Sequence, residues 1–67
     1  MAITLKAARI NRQMLQKDAA RALEVSIDTL SNWERGKTFP DVPHIKKIED
    51  LYGVSYGDII FCPDNSV

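Results

Sequence analysis

Apolar positions recur along the chain at three- and four-residue steps, and they predict five helices and no strands. Thr4 is placed to cap a first helix through Arg12, with Leu5 and Ala8 on one face and Lys6 and Arg12 outside. A second short helix runs from Gln16 to Leu23, with Ala19, Ala20 and Leu23 at helical spacing. Ser26 is a good cap for a third helix reaching Arg35, and Gly36 is the stop signal beyond it. Lys37 to Asp41 reads as a loop, because Pro40 and the residue before it resist helix. Asp41 or Val42 precedes Pro43 in the first turn of a fourth helix, which carries Ile45, Ile48 and Leu51 and closes at Gly53. Ser55 can cap a last short helix holding Tyr56, Ile59, Ile60 and Phe61, before Pro63 ends regular structure. The tail 62–67 is expected to fray. No repeat or linker breaks the series.

Length makes this one domain, 1–67, and its 45% hydrophobic content is that of a globular protein. A domain of this size buries only about 60% of its unfolded surface, so a deep catalytic cleft is not expected. The chain reads as no enzyme. Its single cysteine, Cys62, cannot form an internal disulfide, and no Cys/His cluster points to a metal. His44 stands alone and reads as a surface or capping residue, and nothing marks Cys62 as reactive. No cofactor and no small-molecule ligand are expected. The start Met1 to Leu5 lacks the apolar core of a signal peptide, and no stretch is apolar enough to span a membrane. A cytoplasmic protein with no membrane partner is the expectation.

The formal net charge of zero hides an asymmetry. Residues 1–40 carry Lys6, Arg9, Arg12, Lys17, Arg21, Arg35 and Lys37 against Asp18, Glu24, Asp28 and Glu34. Residues 41–67 carry Lys46 and Lys47 against Asp41, Glu49, Asp50, Asp58 and Asp64. The basic part could face a polyanion, although ordinary solubility accounts for charge alone more simply.

The informative segment is 16–35. Glu24-Val25-Ser26 is too tight a connection for antiparallel helices, so the second and third helices must meet at a steep angle, with Ala20 small enough for close approach. At roughly 100° per residue the third helix has two faces. Leu30 and Trp33 point into the domain, while Ile27, Asp28, Ser31, Asn32 and Arg35 share the outer side. Short hydrogen-bonding side chains with one branched apolar group suit the reading of base edges in a major groove. A polar helix face that touches nothing is the plain alternative.

Three runs change that balance. Leu5-Lys6-Ala7-Ala8-Arg9, Gln16-Lys17-Asp18-Ala19-Ala20 and Val25 to Lys37, with Ser31-Asn32-Trp33-Glu34-Arg35-Gly36-Lys37 the most specific piece, resemble the Cro/repressor-type helix-turn-helix family. This is the family of lambdoid phage repressors and xenobiotic-response-element regulators. The pattern continues in Pro43-His44-Ile45, Leu51 to Ser55 and Asp58-Ile59-Ile60, so the resemblance covers residues 3–61.

The resemblance implies an all-α, compact, five-helix lambda-repressor-like DNA-binding domain with its helix-turn-helix at 16–35. Ile27, Asp28, Ser31 and Asn32 fall where bases are read. Gln16, Lys17, Ser26, Thr29, Arg35, Lys37 and Thr38 fall where phosphates are held. Arg9 and Glu34 match an internal ion pair, and Tyr56, Ile59, Ile60 and Phe61 are the candidate dimer contacts. Glu24 stands where many relatives have a left-handed glycine, at a cost of roughly 1–2 kcal/mol or a shifted turn. Leu15 forfeits a capping side chain worth about 1 kcal/mol, which Asp18 partly recovers through the helix dipole. Ala19 replaces a larger apolar residue, and Asp28 brings a negative charge toward DNA.

The expected function is that of a small Cro-like repressor, bacterial or phage-encoded. It would bind a palindromic double-stranded DNA operator as a homodimer, with half-sites about one helical turn apart. The competing reading is an antitoxin or adaptor that uses the same fold to bind a polypeptide.

Overall fold

The computed structural model describes residues 2–61, so Cys62 and the tail 62–67 lie outside the described residues. A short strand β1 (Ile3–Thr4) leads into helix α1 (Leu5–Asn11), followed by α2 (Gln16–Leu23), α3 (Ile27–Glu34) and α4 (Val42–Tyr52). A 3₁₀ turn (Tyr56–Asp58) and a second strand β2 (Ile59–Ile60) close the described chain.

Helix starts follow the capping chemistry of the sequence. The side-chain oxygens of Thr4, Ser26 and Asp41 accept from the backbone N–H of Ala7, Thr29 and His44 at 3.1, 3.0 and 3.1 Å. Each such cap is worth about 1 kcal/mol. Leu15 caps α2 without a side-chain bond.

Helix ends share one device. Gln13, Glu24 and Gly36 sit in the left-handed region at φ 58°, 62° and 76°. At each of them the chain closes with the paired bonds of a Schellman motif: Met14 to Arg9 and Gln13 to Ile10, Val25 to Ala20 and Glu24 to Arg21, Lys37 to Asn32 and Gly36 to Trp33. The turn at Glu24 is therefore not shifted; the glutamate itself adopts the glycine conformation. At Gly53 the left-handed backbone (φ 69°) disfavours any side chain, and a Cβ there would stand 2.7 Å from Arg12 Nη2, so the end of that arginine would have to move aside.

The expected fifth helix is not formed, and among the described residues four α-helices make an all-helical domain with one small strand pair. Gly57 weakens any helix there, and the β-branched pair Ile59-Ile60 prefers extended backbone. That pair finds a partner at the start of the chain. Ile3 pairs with Ile59 and Thr4 with Ile60 in a parallel register.

The core lies between the helices and consists of Leu5, Ala8, Ala19, Ala20, Leu23, Leu30, Trp33, Ile48 and Tyr52. Ile45 and Leu51, predicted with Ile48 on one face, are only half-buried. Tyr52 takes the remaining core position on α4, and its backbone carbonyl accepts from Arg12 Nε at 3.2 Å.

Candidate nucleic-acid interface

Burial of Leu30 and Trp33 fixes the rotation of α3. The opposite side is thereby turned outward: Ile27 is 48% exposed, Asp28 is exposed, and Ser31 and Asn32 are half-buried. Exposed Arg35 donates from Nη2 to the Asn32 Oδ1 at 3.3 Å. That oxygen keeps a second lone pair and the Asn32 NH₂ keeps both donors, so the carboxamide can still pair with a base edge.

The positions expected to hold phosphate lie on α2, on α3 and its cap, and in the loop that follows α3. Lys17, Ser26, Lys37 and Thr38 are exposed, and Gln16 and Thr29 are half-buried. The Ser26 and Thr29 hydroxyls share a hydrogen bond of 2.9 Å, and Ser26 Oγ also caps α3, so these two are already engaged. The Lys37 backbone N–H is committed to Asn32, which leaves its ammonium as the free donor.

Arg9 and Glu34, the pair implied by the family resemblance, are in contact. Arg9 Nε donates to Glu34 Oε2 at 2.8 Å and Nη2 to Oε1 at 3.3 Å, with only 9% and 4% of the two side chains exposed. Arg9 Nη1 also donates to the Met14 carbonyl at 2.8 Å. Such a buried pair is tolerable because each guanidinium nitrogen and both carboxylate oxygens find a hydrogen-bond partner. It clamps α1 to the last residue of α3.

Two features of this cluster were not apparent from the sequence. Gln16 Nε2 donates to Glu34 Oε1 at 3.0 Å, joining the start of α2 to the end of α3. Tyr52 buries its hydroxyl with no hydrogen-bond partner among the described residues. Burial, with the Glu34 charge adding to it and Arg9 opposing, pushes this phenol up to about 12. No local motif signals either feature: the first joins residues far apart in sequence, and the second depends on which elements pack over the Tyr52 ring.

His44, expected as a surface or capping residue, lies half-buried in the capping turn of α4. Its ring lies on Trp33, with centroids 5.4 Å apart, and its Nδ1 is 2.6 Å from Asp41 Oδ1. The imidazole beside Asp41 holds that carboxyl below its ordinary value. An Asp three residues before a His at a helix start was the available signal.

The candidate dimer residues divide. Tyr56 and Ile60 are exposed, whereas Ile59 and Phe61 are half-buried against the core. Phe61 meets Phe39 edge-on and Tyr56 at a tilt, both at 5.9 Å between centroids. Beside them Val42, Ile45, Lys46, Glu49 and Tyr56 line an open apolar groove of about 320 Å³. Among the described residues no group of acidic, His or Cys side chains gathers to hold a metal, and no helix is long and apolar enough to cross a membrane.

Comparison with known proteins agrees with this geometry. A family model described as helix-turn-helix matches residues 5–59. The chain is 41% identical over 51 residues to the HTH-type transcriptional regulator ImmR of Bacillus subtilis, covering 76% of this chain and 40% of that protein. It is 32% identical over 56 residues to the HTH-type transcriptional regulator DdrOP3 of Deinococcus deserti, covering 84% of this chain and 43% of that one. It thus spans about two fifths of the length of these relatives. No solved structure matches it significantly. With α2 and α3 set by a Schellman turn, a capped and outward-facing α3, and a family match across nearly all described residues, the chain belongs to the Cro/repressor-type helix-turn-helix family.

Proposed function

We propose that the chain is a sequence-specific DNA-binding transcriptional regulator that acts as a small Cro-like repressor. The observation that carries this reading is α3, whose core side is fixed by Leu30 and Trp33 and whose outer side offers Ile27, Asp28, Ser31 and Asn32. Asn32 reads an adenine edge, and Ile27 packs on a thymine methyl. Asp28 accepts from a cytosine amino group. Gln16, Lys17, Ser26, Thr29, Arg35, Lys37 and Thr38 set the register on the phosphates without carrying sequence information. The regulatory names of the two relatives support this reading.

The size of the domain supports dimeric binding to a palindrome. The domain is 31 Å in its longest dimension, and half-sites one turn apart lie about 34–36 Å from each other. Two copies side by side can therefore place their α3 helices in successive major grooves. Exposed Tyr56 and Ile60, with Ile59 and Phe61 behind them, supply the contact between copies. The protein works in the cytoplasm, on DNA.

Fluorescence titration against DNA flanking its own gene, with random duplex as competitor, tests the reading. Tight operator binding that random DNA does not displace is expected, with two chains per duplex in sedimentation. Equal affinity for both DNAs would overturn sequence-specific binding. No binding to either would favour the antitoxin or adaptor reading, for which exposed Phe39, Val42, Tyr56 and Ile60 offer a surface.

A further inference from the structure

We infer that Glu34 is a positioning residue for DNA backbone contact: it holds the Gln16 carboxamide at the start of α2 in the orientation that meets a phosphate, while Arg9 cancels the charge that would repel it. The inference rests on the proposed DNA reading.

Gln16 has two side-chain N–H donors and one carbonyl acceptor. Its partner, Glu34 Oε1 at 3.0 Å, is a carboxylate oxygen and can only accept, so the nitrogen must face it. This fixes the amide against flipping. The second N–H is left without a partner among the described residues. Two more donors are free at the same place. Leu15 provides no side-chain cap, and its carbonyl takes the N–H groups of Asp18 and Ala19, leaving those of Gln16 and Lys17 without a partner among the described residues. Free amides at a helix start favour an anion, and an oriented carboxamide adds a donor at no further entropic cost.

A lone carboxylate next to this donor set would repel a phosphate. Arg9 answers Glu34 with bonds of 2.8 and 3.3 Å in a nearly solvent-free setting, so the pair presents geometry without net charge. The ion pair thus does two things. It clamps α1 to α3, and it makes Glu34 usable as an acceptor beside an anion.

A double-mutant cycle between positions 16 and 34, read in DNA affinity at fixed salt, tests the coupling. Gln16→Ala should weaken binding to operator and random DNA alike by about tenfold, the effect of one hydrogen bond to a charged acceptor. Glu34→Gln should weaken binding in the wild-type background and have no further effect in Gln16→Ala, with circular dichroism confirming that each variant is helical. The same loss from Glu34→Gln in both backgrounds would overturn the positioning role and leave DNA binding intact. No loss from Gln16→Ala would remove Gln16 from the contact, and the inference with it. Should Glu34→Gln fail to fold, nuclear magnetic resonance of the free wild-type chain decides instead. The Gln16 side-chain amide signals, assigned by their absence in Gln16→Ala, should show one slowly exchanging proton. Two freely exchanging protons would overturn the inference.

Discussion

Lys47 on α4 donates from Nζ to Glu24 Oε1 across 2.6 Å, so the left-handed residue that joins α2 to α3 is tethered to a third helix. The lysine holds the Glu24 carboxyl below its ordinary value, mainly through that hydrogen bond. Both groups are largely exposed, and such pairs contribute little. The strain of a non-glycine at φ 62° outweighs it. Glu24→Gly should therefore melt at or above the wild-type temperature. Glu24→Ala keeps the strain and loses the tether, and should be less stable than Glu24→Gly by about 1 kcal/mol. Thermal unfolding of the three proteins, followed by circular dichroism, checks the order.

Breaking the Arg9–Glu34 pair leaves a buried charge alone. Glu34→Ala should cost about 3–5 kcal/mol, a large part of the stability of so small a domain. Replacing both residues by Leu should recover much of that loss in urea unfolding, because the penalty lies in the unpaired charge. A Glu34→Ala protein that melts like wild type would mean that the clamp contributes nothing.

Tyr52 predicts behaviour in alkali. Its folded-state phenol is raised to about 12 from an ordinary value of 10, so the folded chain keeps a proton that the unfolded chain releases. The sign follows: this stabilisation is complete below pH 10 and is lost as pH rises toward 12. Tyr52→Phe removes a buried hydroxyl that has no partner, so it should match or exceed wild-type stability at neutral pH. It should also lose less stability than wild type between pH 10 and 12, as urea midpoints across that range will show.

Base reading and phosphate holding separate in two further variants. Asn32→Ala should weaken operator binding by about 1–3 kcal/mol and leave binding to random DNA nearly unchanged. Lys37→Ala should weaken both alike and reduce the slope of affinity against salt by about one unit. Titrations at several salt concentrations distinguish them. An unchanged ratio of operator to random binding in Asn32→Ala would mean that α3 does not read sequence.

What the sequence by itself determined was local. Thr4, Ser26 and Asp41 begin helices because a side-chain oxygen reaches an amide three residues on, and Gly36 and Gly53 end them because a left-handed residue must follow. The spacing of Leu30 and Trp33 set which side of α3 faces outward, and with it the placement of Ile27, Asp28, Ser31 and Asn32. The Arg9–Glu34 pair was legible only through the resemblance to a known family, since periodicity cannot join distant residues. Tertiary structure decided the rest. Ile59-Ile60 became a strand because Ile3-Thr4 offers its backbone groups from the far end of the chain, a partner that local propensity cannot see. Glu24 kept a glycine conformation because the packing of α2 on α3 requires the turn whatever residue occupies it. Gln16 came to rest on Glu34, and Tyr52 filled the core beside them, because the fold of α1, α2, α3 and α4 brings together groups that are separated along the chain.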